Sequence, residues 1–509
     1  MERFLARHLS RILGTLTGFD RVLFRGTLRS ISYVNGLEIF LSSQHILHKE
    51  FGKAVEKFSK RIIEHAKSIA EKAGRPYMYV QSPKVSKEDA ARQIAARDNI
   101  KEGLIAVFRS VEPCQSFEIR KNADSKWLEL VSKERKCLHV YFYYIDREFG
   151  LMHVRLQTWI PFTIQVCING REWLARQMDR EGIEYTQREN CFTNISDFEK
   201  AQQIMDRLSE RKWHRMLNAL ARKVNPWIDP REGWNIREYY WSVRQGEYAT
   251  DVVFKDSEKL ADLYPCLVKH AMFCFGSEEI MRFLQRRTNS RFMGEASTHL
   301  QRRVEGIRVK HWVEENSIKM YDKQGSVLRI ETTINNPRRF KVYRRLGSKQ
   351  IQKGWLPMRK GIADMRRRVE LSRSANARYL DALSVVRLET PSHRLMDGVS
   401  KRVEAGTRWY RALRPISPED AELFRVIMQG EYSLQGIRNK DLQKRITFDS
   451  RPAKNRSAQI GRRLALLRAH KLIYKVERTN FYRITKKGHE LMSTALKFRQ
   501  SDIALLNSA

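Results

Sequence analysis

The stretch from Ser417 to Lys497 constrains the chain most, because its pattern sets both an order of elements and the chemistry of one outer face. Ser417 followed by Pro418, Glu419 and Asp420 places a capping hydroxyl, a proline at the first helical position and acids in the first turn. Leu423, Phe424, Val426 and Ile427 then supply an apolar side. A short second helix is predicted from Asn439 to Arg445. After a basic loop, Ser457 reads as the cap of a third helix with Ile460, Leu464 and Leu467 on one face. Leu472 to Val476 and Phe481 to Ile484 read as two strands joined by a polar turn, Glu477 to Asn480. The predicted order is helix, helix, helix, hairpin, helix.

That order is the one of a winged helix, whose third helix fits the major groove of duplex DNA. With Ile460, Leu464 and Leu467 turned to the core, Lys454, Arg456, Ser457, Gln459, Arg462 and Arg463 face outward as a surface of cations and hydrogen-bonding groups. The wing tip, Arg478, Thr479 and Asn480, reaches for the backbone or minor groove. The string "RRLALLRAHKLIYKVERTNFYRITKKG" resembles the MarR-like winged-helix family, and the resemblance covers this C-terminal stretch alone.

With 509 residues and 42% apolar content, the chain has room for several cores. The expected class is mixed α/β and multidomain. An N-terminal α/β domain is placed at 1–230, a basic α+β domain at 236–390, a linker at 391–415 and the winged helix at 416–509. The first boundary rests on "KVNPWIDPREGWN", where prolines and glycine interrupt the periodic pattern. The formal charge is +38, and residues 301–509 alone hold 47 basic against 20 acidic side chains. Such a field favours polyanions and makes binding salt-dependent. No apolar run approaches the roughly 18 residues a bilayer needs, so no membrane partner is expected and the cytoplasm is the expected compartment. Six cysteines lack the density and spacing of a disulfide framework or a zinc knuckle and read as buried thiols.

In the first half, Met1 to Leu16 has the spacing of a helix, and "DRVLFRGTLRSI" alternates as a strand opened by Asp20, the placement of an acid that a nuclease of the RNase H type requires. The clearest hairpin pairs Leu138 to Ile145 with Leu151 to Trp159. It sets Val140, Phe142 and Tyr144 on one face and His139, Tyr141 and Tyr143 on the other. The tyrosine face either stacks bases, as RNA-binding sheets do, or packs a helix. Asp146 in the turn is a candidate metal-binding acid.

The second half contains "NSIKMYDKQGSVLRIETTINNPRRFKVYRR". Its alternation predicts a hairpin with Ile318, Met320, Leu328 and Ile330 inward and Lys319, Tyr321, Arg329 and Glu331 together on the opposite face. A tyrosine beside cations and a carboxylate has the elements of a phosphodiester nucleophile. Alternatively, Lys319, Arg329, Arg338, Arg339, Lys341, Arg344 and Arg345 grip phosphates without chemistry. "YDK…LRIE" resembles the hairpin of phage and plasmid rolling-circle replication proteins, which implies a replication or mobile-element setting. Those enzymes use two histidines one residue apart, and none of the 13 histidines here is so placed. The longer string "RVKHWVEENSIKMYDKQGSVLRIETTINNPRRFKVYR" resembles one shared by a group of bacterial proteins and implies no activity.

Together these features predict a nucleic-acid-binding protein of a mobile-element, replication or regulatory system, with duplex DNA as partner and a second copy of the chain as a further one. A nuclease or transposase is the enzymatic alternative, with Asp20, Asp146, Glu331 and Tyr321 as catalytic candidates and Mg²⁺ or Mn²⁺ as the only cofactor it calls for. A ribonucleoprotein component that holds structured RNA is the third reading.

Overall fold

The computed structural model describes residues 1–81, 85–229, 238–285, 296–303, 306–345, 352–386, 392–428, 436–443, 445–446, 453–476 and 479–500. The chain is mixed α/β, and it divides into two compact units, 1–387 and 388–509.

The larger unit is built on one sheet. Its strands are β1 (Ile12–Thr27), β2 (Tyr77–Tyr79), β3 (Gly103–Lys121), β4 (Leu128–Asp146), β5 (Gly150–Gln157), β6 (Ile164–Asn169), β9 (Tyr240–Phe254), β10 (Ala296–Arg303), β11 (Gly306–Val313), β12 (Asn316–Lys323) and β13 (Val327–Thr333). The spatial order is β10-β11-β12-β13-β9-β1-β6-β5-β4-β3-β2, antiparallel except for β2 beside β3. A small hairpin, β7 (Tyr185–Arg188) and β8 (Cys191–Ile195), lies outside this order, as does a second one, β14 (Lys341–Arg345) and β15 (Lys353–Pro357).

Two α/β regions share the sheet, each with its own core. One gathers Phe24, Phe142, Val154, Ile164, Leu174 and Trp241 beneath helices Phe51–Lys72, Gly170–Glu181, Phe198–Glu210 and Trp213–Val224. The other gathers Val252, Leu263, Met320, Ile330 and Tyr379 beneath helices Ser257–Phe273 and Met365–Leu383. The boundary expected near 230 therefore falls inside one compact unit, because β9 returns after that loop and pairs with β1 along almost its whole length. Trp227, Tyr239 and Trp241 around it are buried.

The first element also differs from expectation. The helix spans only Glu2–His8, and Ile12 to Leu16 already belongs to β1. A spacing of four residues satisfies a strand's period of two as well as a helical turn, so Ile12 and Leu16 could not distinguish them. Where β6 has ended, Gln202 completes the edge of β1: the Thr17 amide donates to its Oε1 at 2.7 Å, and its Nε2 donates to the Thr17 carbonyl at 2.8 Å.

The tyrosine face of β4 is not a base-stacking platform. Tyr141 and Tyr143 are buried with Ala91 and Ile94 of helix Lys87–Arg97 and with Phe108 of β3. Ser86 caps that helix, its Oγ accepting from the Asp89 amide at 3.1 Å.

The smaller unit has helices Pro418–Ile427, Asn439–Gln443, Ala453–Ala469 and Lys486–Gln500, with the hairpin β18 (Ile473–Lys475) and β19 (Tyr482–Ile484). Leu423, Phe424, Ile460, Leu464, Leu467, Leu472 and Leu491 form its core, and the arrangement is winged-helix-like. The segment expected as a linker is folded into it. Helix Ser392–Asp397 and the hairpin β16 (Val403–Ala405) and β17 (Arg408–Tyr410) occupy it, and Val399 and Leu413 join the core. Ser457 does not cap the third helix, which opens at Ala453.

Among the described residues no helix is long and apolar enough to cross a membrane. Cys137, Cys167 and Cys191 are buried as expected for structural thiols, while Cys274 is exposed.

Candidate metal centre

Three neighbouring strands bring acids to one point of the sheet. Glu331 of β13, Glu247 of β9 and Asp20 of β1 each offer a carboxylate oxygen, and these oxygens lie within 4.8 Å of one another. On β13 and β9 the placement follows from register. Glu331 pairs with Ala249 and Thr333 with Glu247, so period-two alternation puts both glutamates on one face, with only a methyl group between them on β9. On β1 it follows from an irregularity. Phe19 pairs with Tyr248 and Arg21 with Glu247, which leaves Asp20 as the extra residue of a β-bulge. Bulges re-aim side chains, and this one turns Asp20 toward the glutamates.

Cations hold the acids in place. Arg329, fully buried, donates from Nη1 to Asp20 at 3.0 Å and from Nε and Nη2 to Asp251 at 2.5 and 2.8 Å. Arg171 reaches the same Asp251 at 2.9 Å. Burial works against ionising Asp251, but Arg171 and Arg329 hold its pKa below the ordinary value. Lys319, opposite Glu331 in the β12–β13 pair, sets its Nζ 2.6 Å from Glu331 Oε1, and Tyr321 donates its hydroxyl to Glu331 Oε2 at 3.0 Å. The turn between β7 and β8 closes over this group. The Asn190 carbonyl accepts from Arg329 at 2.9 Å, and its side-chain amide donates to Asp20.

Four carboxylates, Asp20, Asp251, Glu247 and Glu331, lie among Arg171, Arg329 and Lys319, with Lys323 and Arg21 in electrostatic reach of Asp251 and Glu247. Glu331 is the acid pushed toward its neutral form. Burial first, with Glu247 and Asp20 adding to it against the opposing Lys319, pushes its pKa up to about 7.

Glu331 Oε1 is held by the Lys319 ammonium, while the buried Asn190 Oδ1 has no hydrogen-bond partner among the described residues. A buried oxygen without a donor beside clustered carboxylates suits a hard divalent cation, which takes oxygen ligands and tolerates few others. The residues present thus fit Mg²⁺ or Mn²⁺.

The cluster opens on a cleft of about 490 Å³. Its lining includes Asp20, Glu88, Asp89, Glu172, Glu189 and Glu247, against Arg21 and Arg92. Such a wall repels a phosphodiester until cations neutralise it, and it is more suited to a metal than to bare phosphate.

The candidate residues separate accordingly. Asp20, Glu331, Tyr321, Lys319 and Arg329 meet at one place. Arg329 and Lys319, expected to grip phosphate, are instead 0% and 13% exposed and serve as counter-ions inside the sheet. Asp146 lies elsewhere: its Oδ1 accepts from the Glu148 and Phe149 amides and caps the β4–β5 turn. Arg344 is tied to Asp364 at 3.2 Å, and Arg339 to Glu314 at 3.1 Å, while Arg338, Lys341 and Arg345 are exposed. Sequence reasoning missed Glu247 and Asp251. Their signal was two acids four residues apart in the strand "YWSVRQGEYATDVVF", a run whose second half is otherwise apolar.

In the smaller unit Arg462 and Asn480 are exposed, and Arg456, Gln459, Arg463 and Thr479 half-buried. Ser457, Thr479 and Asn480 line a concavity of about 670 Å³ with Arg438, Lys440 and Gln443. The Lys454 side chain and Arg478 lie outside the described residues.

A mixed α/β protein with an acidic centre and a winged-helix-like module is what fold and site define. No family model, curated protein or solved structure matches the chain, so nothing ties it to the MarR-like or rolling-circle replication families.

Proposed function

We propose that the protein is a divalent-metal-dependent enzyme that cleaves phosphodiesters of nucleic acid, a nuclease or transposase, and that its winged-helix-like unit contacts duplex DNA. The observation supporting this is the convergence of carboxylate oxygens of Asp20, Glu247 and Glu331 within 4.8 Å, beside the buried Asn190 Oδ1 that no described donor meets. Those three carboxylates, with Asn190 Oδ1 beside them, would hold Mg²⁺ or Mn²⁺. A cation there supplies Lewis-acid stabilisation of the charge that grows on phosphate oxygens during displacement.

The chain's own groups have separable roles. Arg329 positions Asp20, donating to its carboxylate at 3.0 Å. Glu331, its pKa pushed up to about 7, can keep or release a proton, and Tyr321 orients it by donating to Oε2. The acid-lined cleft excludes polyanions that arrive without cations.

The test is cleavage of labelled single-stranded DNA, duplex DNA and RNA by the full chain with Mg²⁺, Mn²⁺ or chelator. Wild type cuts at least one substrate in a metal-dependent way, while Asp20→Asn and Glu247→Gln do not cut yet bind duplex DNA as wild type does. Absence of cleavage of all three substrates by wild type overturns the proposal.

A further inference from the structure

The hairpin β14–β15 presents an outer face of aromatic rings and cations. Period-two alternation leaves Lys341, Tyr343, Arg345, Lys353 and Trp355 exposed on it. Tyr343 and Trp355 are cross-strand partners, 56% and 58% exposed, with ring centroids 5.5 Å apart. Water-facing aromatic area of this size is costly to leave uncovered. A cross-strand pair does stabilise a two-stranded ribbon, but that accounts for the packing of one ring on the other, not for the cations around them.

The inner face holds the ribbon in place. Arg344 donates to the Pro357 carbonyl at 3.0 Å and pairs with Asp364, and Arg367 donates from Nε to the Lys341 carbonyl at 3.0 Å. The Arg367 guanidinium also lies 5.8 Å from the Trp355 ring. Arg344 and Arg367 thus anchor the ribbon, while Tyr343 and Trp355 stay exposed. None of the described ion pairs engages Lys341, Arg345 or Lys353, so their charge is available to a partner.

We propose that this ribbon is a stacking platform for unpaired bases of a nucleic-acid strand, with Tyr343 and Trp355 taking the bases and Lys341, Arg345 and Lys353 the phosphates. Rings flanked by cations are the recurring solution for single strands, because every base has a π-face and every nucleotide a charge. A duplex keeps its bases stacked on each other and offers the rings nothing to take. The inference deepens the reading of the protein as acting on nucleic acid, on which it rests, by naming an unpaired strand as a ligand. It does not depend on the metal centre.

Fluorescence anisotropy with the full chain in chelator, where no cleavage occurs, tests it. The probes are a single-stranded DNA oligonucleotide, the same sequence in RNA, the same length with abasic sites, and a blunt duplex. Tyr343→Ala with Trp355→Ala lowers affinity for the base-bearing single strands by roughly ten-fold or more and leaves the abasic strand and the duplex unchanged. Tyr343→Phe with Trp355→Phe keeps wild-type affinity, which separates loss of stacking from loss of folding. Lys341→Ala, Arg345→Ala and Lys353→Ala together weaken base-bearing and abasic strands alike. Equal binding of base-bearing and abasic strands by wild type, or an alanine pair indistinguishable from wild type, overturns the proposal. Because no metal is present, neither result bears on whether the enzyme cleaves.

Discussion

Lys319 and Glu331 face each other across β12 and β13 with 2.6 Å between the ammonium and a carboxylate that is wholly buried. Even so, the carboxyl titrates near 7, because burial and two neighbouring acids outweigh one cation. A folded pKa above the ordinary 4.5 means that the native state holds this proton more tightly than the unfolded chain. The associated stability is complete below about 4.5 and is lost as pH rises through about 7. Melting temperature in chelator should fall between about pH 5 and pH 8 in wild type and fall less in Glu331→Gln. An equal slope in both would place the titration elsewhere.

Arg329 holds two acids that lie 231 positions apart, Asp20 and Asp251. Its removal takes the guanidinium from buried Asp20 and leaves buried Asp251 to Arg171. Arg329→Ala should cost about 3–5 kcal/mol of stability, the usual penalty for breaking a buried ion pair from one side. Chemical denaturation measures it, and a loss under about 1 kcal/mol would show that water replaces the guanidinium at little cost.

Tyr321 is half-buried, and burial, with Glu331 beside it, pushes its hydroxyl pKa well above the ordinary range. A group so hard to ionise is a poor nucleophile and a good hydrogen-bond donor to Glu331. Tyr321→Phe should retain cleavage within a few-fold and move its pH dependence upward, since the donor that favours ionised Glu331 is gone. A covalent tyrosyl-DNA adduct trapped in wild type and absent from the phenylalanine variant would contradict this.

In the smaller unit, Arg462 is exposed on the third helix, and Arg463 stands beside it. Arg462→Ala with Arg463→Ala should weaken duplex binding by about 1–3 kcal/mol for each of the two arginines that reads a base edge, and should flatten the dependence of binding on salt. Unchanged affinity would show that this helix does not enter a groove.

The hairpin β12–β13 was legible in the sequence because its register follows from alternation and a short turn. The same reading placed Lys319, Tyr321, Arg329 and Glu331 on one face, as found. Their burial was not legible, because it depends on the turn at Asn190 and on helix Gly170–Glu181, which lie more than a hundred residues away in the chain. Asp20 was visible as an acid in an early strand, but the bulge that aims it depends on pairing with β9. Glu247 was invisible for the same reason, since β9 meets β1 and β13 only through pairings far apart in sequence. Local periodicity reports faces; it does not report which strands become neighbours. Helices Pro418–Ile427, Asn439–Gln443, Ala453–Ala469 and Lys486–Gln500 were readable because their apolar spacing lies within one short stretch, although the start of the third precedes Ser457.

Asp20, Glu247 and Glu331 are proposed to hold a divalent cation. Titration of Mn²⁺ into the full chain, followed by calorimetry or by the loss of its free-ion paramagnetic signal, measures this without reference to activity. Saturable binding is predicted for wild type, tightening as pH rises through about 7 as Glu331 gives up its proton, and abolished in Glu247→Gln and Asp20→Asn. Wild type that binds no Mn²⁺ saturably, or variants that bind it as tightly, would contradict the account.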